Sequence, residues 1–193
     1  MAEALMARRI RERDLPATVT SAGLLEGGWP SPPEIVELFG PLGIDMGGRR
    51  SRQLRADDLD RADLVLTMER AHVRAVTVMT PAAWSKTFTL KEVVRRAAAV
   101  GRLQEGETVA GWRARVQGDR LASSMLGQSG SDDVADPYGG PRERYRATME
   151  EIDELVTELA DLIWPRSPAP SSGLAPVTAP SARRSRFGLA RRS

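Results

Sequence analysis

Asp136, Pro137, Tyr138 and Gly139 stand together just before the last helix-forming stretch of this 193-residue chain. An aspartic acid can give and take a proton, a proline fixes the backbone that carries it, and an aromatic face can receive a ring. The same four residues also spell an ordinary type I turn, with Asp first, Pro second and Gly fourth. Asp132 and Asp133 lie close by but lack the following proline. A second candidate is Ser21, which reads equally as a small polar residue closing a strand. Further chemistry is limited by what is absent. The sequence contains no cysteine, which excludes a disulfide framework, a thiolate metal site and a cysteine nucleophile within these residues. The single histidine, His72, reads as a surface helix residue, and Trp29 as an incidental loop aromatic. Neither a metal site nor a cofactor is implied.

The elements that must position these groups begin at residue 1. Ala2, Leu5, Met6 and Ile10 recur at helical spacing, with Glu3, Arg8 and Arg11 on the other side, so Met1–Arg13 reads as an amphipathic helix. No capping residue precedes it. Its first four N–H groups lack partners, and that end of a helix attracts anions. In an α/β protein the loop before such a helix commonly holds a phosphate. Here that loop would lie before residue 1, so the expectation is an enzyme fold whose catalytic loop lies outside these residues. The arginines at 8, 9, 11 and 13 sit along the helix and read mainly as its solvated face.

Ala17–Gly23 is β-branched and small, a short strand running into a Gly-rich loop. Pro32 and Pro33 open a helix with the stripe Ile35, Val36, Phe39 and Leu42. One or two turns at Ala56–Arg61 precede Ala62–Met68, an apolar run that fits a strand buried on both faces. Glu69–Met79 reads as a helix and Thr87–Leu90 as a third strand. Thr89 and Glu92 have capping-box spacing for the helix Leu90–Val100. Val109, Trp112 and Val116 suggest one more helix, and the Gly and Ser near 127–131 a mobile loop. Pro141 opens the last helix, with the stripe Tyr145, Met149, Ile152, Val156, Leu159 and Ile163; Pro165 stops it. The pattern is that of a doubly wound α/β fold with a parallel sheet, its opening strand absent.

Composition supports one domain, residues 1–164, and a basic Pro/Ser/Ala/Arg tail, residues 165–193, which reads as disordered. The tail carries six arginines and no acid; taking those six from the net +2 of the whole leaves −4 for Met1–Trp164. Basicity is therefore no argument for nucleic-acid binding by the domain. No apolar run is long enough to span a bilayer and no signal-peptide core is present, so a cytoplasmic protein is the expectation.

Four segments, in order, resemble the low molecular weight protein-tyrosine phosphatases. Met1–Leu5 (MAEAL) is similar to the helix start that follows the family's C-x5-R-[ST]-P loop. Ser21-Ala22-Gly23 is similar to its strand-ending SAG. Ser51-Arg52-Gln53-Leu54, followed by Ala62-Asp63-Leu64-Val65-Leu66 and Met68, is similar to its R-Q-[LI] and [AF]-D-x-[IV]-L-x-M stretches. Asp136-Pro137-Tyr138-Gly139 is similar to its general-acid loop. The resemblance covers Met1 to about Trp164. It implies a cysteine thiolate that attacks phosphotyrosine, forming a phosphocysteine that water then hydrolyses. Asp136 would protonate the leaving phenolate, Tyr138 would form part of the pocket wall, and Ser21 would hydrogen-bond the phosphate loop. The implied partners are a phosphotyrosine protein or a small phosphomonoester, and a bacterial-type tyrosine kinase system.

This sequence departs from the family at the nucleophilic cysteine and the phosphate-binding arginine, both absent. Arg49 stands where the family often has a histidine, and residues 101–131 exceed the corresponding connection. Four readings follow. Met1 is an internal methionine of a longer enzyme, the reading given most weight; as written the chain is inactive. Alternatively it is a non-catalytic relative that binds phosphorylated or acidic partners. An arsenate-reductase relative would need cysteines that are missing. An unrelated doubly wound binding module would have no need of DPYG.

Overall fold

The computed structural model describes residues 1–165. Seven α-helices and two strands follow one another as α1 (Ala2–Arg13), α2 (Pro33–Phe39), α3 (Ala56–Arg61), β1 (Val65–Thr67), α4 (Arg70–Met79), β2 (Thr87–Thr89), α5 (Leu90–Val100), α6 (Val109–Gln117) and α7 (Arg142–Ile163). Short 3-10 turns lie at Gly40–Leu42, Pro81–Lys86 and Ala122–Met125. β1 and β2 pair in parallel, with Val65 opposite Thr87 and Thr67 opposite Thr89. All three β2 residues are buried, as a strand covered on both faces requires. The fold is α/β with a small parallel sheet, and the tail beyond Pro165, for which disorder was expected, lies outside the described residues.

The strand expected at Ala17–Gly23 does not form. Its inward–outward alternation survives, with Ala17 and Val19 half-buried and Thr18 and Thr20 exposed. A strand, however, is defined by its ladder, and this segment makes only one parallel bridge, Gly23 to Gln53. The sheet among the described residues therefore holds two strands rather than three.

The core lies where α1, α5 and α7 meet. Leu5, Phe39, Phe88, Leu90, Trp112 and Leu159 are each at most 1% exposed, and burying side chains of this size contributes about 1.5–3 kcal/mol apiece. The periodic stripe of α7 is buried as its spacing dictates, with Met149 packed at the margin.

Two arginines of α1 are structural and not solvated. Arg9 donates to both carboxylate oxygens of Asp153 at 2.9 and 2.8 Å and to Thr157 Oγ1 at 3.0 Å. Arg13 pairs with Asp161 at 2.7 Å and also donates to the Trp164 carbonyl. Moving one turn along α1 thus moves the contact the same way along α7, so the two helices run parallel. Their N-termini lie at one end of the molecule.

A buried ion pair joins the 101–131 region to the sheet. Arg120 donates to Glu92 from Nε at 2.6 Å and from Nη2 at 2.8 Å, and the two side chains are 1% and 2% exposed. The guanidinium lies over the rings of Trp84, 3.8 Å away, and Phe88, 4.6 Å away. Burial pushes the Arg120 pKa down, and the Glu92 carboxylate opposes that shift. This pair corrects the capping-box expectation: Thr89 Oγ1 does accept the Glu92 N–H at 3.1 Å, but the Glu92 side chain turns to Arg120 and leaves the box half made.

Candidate active site

Parallel packing of α1 and α7 decides which residues share the site. In the register set by Arg9 and Asp153/Thr157, Met1 lies level with about residue 147. α7 starts about five residues earlier, roughly 7 Å farther along the axis at 1.5 Å per residue. The loop before α7, which carries Asp136, lies at this same end but folds back beside α7: Thr148 Oγ1 donates to the Ala135 carbonyl at 3.3 Å, about level with the start of α1. It is also the carboxyl end of β1: Val134 N–H donates to the Met68 carbonyl at 2.8 Å. Crevices at this edge of an open α/β sheet are where ligands bind.

At the start of α1, Glu3 gathers two donors. Arg49 Nη1 reaches its Oε1 at 2.9 Å, and the Ser21 hydroxyl donates to its Oε2. Ser21 is thus tied to the first turn of the helix. Burial holds the Met1 amine below its ordinary pKa; Glu3 opposes that shift and Arg49 adds to it. The Glu3–Arg49 pair escaped the sequence reading, because residues 46 apart share no periodicity. The only signal was Arg49 standing in place of a histidine.

Around Asp136 the turn differs from the expected one by a single residue. The closing hydrogen bond runs from Gly140 N–H to the Pro137 carbonyl at 2.9 Å. Gly139, third in that turn, has φ +71°, the sign that a type II turn demands there and that glycine adopts without strain. Asp136 is left outside the turn as its own Asx unit, its Oδ1 accepting the Tyr138 N–H at 3.0 Å. One carboxylate oxygen is thereby fixed, while no hydrogen bond within the described residues engages the other. Pro137 is buried and anchors the loop; Asp136 is exposed, and the Tyr138 ring stands 78% exposed. The structure records no contact that joins Asp136 or Tyr138 directly to Ser21.

The two neighbouring aspartates hold this loop in place. Asp132 is buried and gripped from two helices, by Arg70 at 2.6 and 2.8 Å and by Arg95 at 2.5 Å. Burial alone would raise its carboxyl pKa; the hydrogen bonds from Arg95 and Arg70 outweigh that and hold it below the usual range. Asp133 Oδ1 accepts the Arg70 N–H at 2.7 Å, capping the start of α4, and its Oδ2 accepts the Ser129 N–H at 2.9 Å. The stretch expected to be a mobile loop is therefore tied to α4 by side chains, Arg74 adding a bond to the Gly127 carbonyl at 3.1 Å. No group of three or more potential metal ligands occurs among the described residues.

The chain is thus an α/β domain whose Asp136 loop lies at the end of the molecule where α1 begins, at the carboxyl edge of β1. Residues 1–103 match the family described as low molecular weight phosphotyrosine protein phosphatase. The chain belongs to that family. It is 33% identical over 113 residues to a protein-arginine-phosphatase of Geobacillus stearothermophilus, covering 58% of this chain and 53% of that one. It is 34% identical over 90 residues to the probable low molecular weight protein-tyrosine-phosphatase EpsP of Ralstonia nicotianae, covering 46% and 62%. The chain thus spans little more than half the length of these curated relatives. Among solved structures, the low molecular weight protein tyrosine phosphatase from T. tengcongensis matches with a TM-score of 0.61 at 30% identity, covering 83% of this chain and 87% of that one. No helix among the described residues is long and apolar enough to cross a membrane.

Proposed function

We propose that this chain is a phosphomonoester- and phosphoprotein-directed phosphatase domain in which Asp136 is the general acid. Tyr138 forms the pocket wall, and Ser21 supports the phosphate-binding segment through its place beside α1. The supporting observation is the shared end of α1 and α7, together with the Thr148–Ala135 hydrogen bond of 3.3 Å that keeps the Asp136 loop at that end. A carboxyl group there can protonate a leaving oxygen or nitrogen while the helix end favours the phosphate charge. The substrate class follows from the relatives' names, which include both tyrosine and arginine phosphatases; phosphotyrosine is the reading that the sequence resemblance favours.

The 193 residues supply no thiolate, so the chain by itself does not turn over substrate. The test uses para-nitrophenyl phosphate and two proteins. The 193-residue chain is expected to match a buffer blank. A form extended at its N-terminus by a strand and a C-x5-R-S-P loop is expected to turn over, and Asp136→Asn is expected to lower its kcat by about 10²–10⁴-fold. Turnover by the 193-residue chain that Asp136→Asn abolishes would overturn the reading. Stoichiometric binding of phosphopeptide by the 193-residue chain, with no turnover in the extended form, would point instead to a non-catalytic binding relative.

A further inference from the structure

The stretch of α7 from its middle onward carries charge that the domain leaves uncompensated. Glu150 to Asp161 holds six acids and no base. Three of the six are neutralised: Glu151 by Lys91 at 2.6 Å, Asp153 by Arg9 at 2.8 Å and Asp161 by Arg13 at 2.7 Å. Glu150, Glu154 and Glu158 are exposed and make no ion pair with a described residue. Their spacing of four puts them on one stripe of the helix, where neighbouring like charges repel by about 0.2–0.5 kcal/mol per pair. The stripe borders a shallow groove of about 550 Å³ whose wall includes Glu154, Glu158 and Asp161, with Arg102 as a lining cation.

The chain carries the complementary charge immediately beyond. After Pro165 come Arg166, Arg183, Arg184, Arg186, Arg191 and Arg192, without one acid. Eighteen residues separate Trp164 from Arg183; a chain of that length spans at most roughly 60 Å. The stripe from Glu158 back to Glu150 lies roughly 9–21 Å from Trp164 along the helix. The arginines are therefore within reach of the stripe, and attachment to the same chain raises their effective concentration there.

From this we infer that Arg183–Arg186 docks in cis on the Glu150–Glu154–Glu158 stripe of α7. The arginines supply the cations that this face lacks. The interaction is electrostatic, weakened by salt, and independent of the role assigned to Asp136.

The absence of cysteine makes the test clean, since a single introduced thiol takes one spin label. In the full chain carrying Ser193→Cys, spin-labelled, amide signals of Glu150–Glu158 are expected to broaden more than those of other helices. Raising the salt to about 1 M, where the screening length is about 3 Å, is expected to restore them. Glu154→Gln with Glu158→Gln is expected to restore them at low salt, as is replacement of Arg183, Arg184 and Arg186 by Gln. Broadening spread evenly over the surface, or unchanged in both sets of variants, would overturn the inference. So would tight binding of an added arginine-rich peptide to α7 that leaves the label's effect untouched.

Discussion

Replacing Arg120 by Met is expected to cost the domain about 3–5 kcal/mol, the usual penalty for removing one partner of a buried ion pair. The structure explains why the upper part of that range is reasonable. Arg120→Met removes two charge-assisted hydrogen bonds and the stacking on Trp84 and Phe88, and leaves the Glu92 carboxylate 2% exposed with no counter-charge. For a domain of this size each kcal/mol lowers Tm by about 2–4 °C, so a fall of roughly 6–20 °C is expected. Chemical denaturation followed by tryptophan fluorescence reads it, since Trp84 lies under the guanidinium. The companion is Arg120→Met with Glu92→Met. The pair's gross attraction is largely offset by its desolvation, so the double variant is expected to recover most of the loss. A single variant that loses less than about 1 kcal/mol, or a double variant no more stable than the single, would refute the reasoning.

Three further outcomes follow from the site loop and the caps. The Asp132 carboxyl is held below its unfolded value, so its stabilising contribution is complete above about pH 4 and is lost as pH falls through the lower folded value; Asp132→Asn is expected to be less stable at neutral pH and to show a shallower acid transition in pH-dependent melting. Gly139→Ala places a Cβ at φ +71° and is expected to cost about 1–2 kcal/mol, with backbone amide shifts concentrated at Asp136–Gly140. Thr89→Ala removes the hydroxyl that accepts the Glu92 N–H and is expected to cost about 1 kcal/mol in thermal melting.

What the sequence made legible is what periodicity and turn chemistry control. The stripes of α5 and α7 and the helix α6 follow from apolar spacing, because those side chains need only one face of one helix to find the core. β1 was legible as an apolar run and β2 as the Thr87–Leu90 stretch, though each shrank to three residues; a 3-10 turn runs directly into β2 and α5 follows it at once. Ala17–Gly23 failed for the converse reason. Its local preference was right, as the alternation at Ala17–Thr20 shows, but strand formation is a property of two segments, and a preference cannot supply the neighbour.

The site divides along the same line. Asp136 and Tyr138 could be singled out because a turn writes itself in adjacent residues, although the turn proved to be Pro137–Gly140, with Asp136 in front of it. Groups that act over long separations left no such trace. Glu3 with Arg49, Arg70 and Arg95 with Asp132, and Glu92 with Arg120 are pairs 28 to 62 residues apart. Each looks like a solvated charge when read alone, and arginine is so frequent in this chain that no single one stands out. Yet these pairs fix where the legible residues lie. Asp132 and Asp133 bind the loop to α4, and Glu3 binds Ser21 to α1. Arg9 and Arg13 lay α1 alongside α7 in the direction that brings both helix N-termini to one end. The sequence could thus nominate Asp136, whereas its place at the end of the molecule where α1 begins depends on charge pairs that only the folded chain brings together.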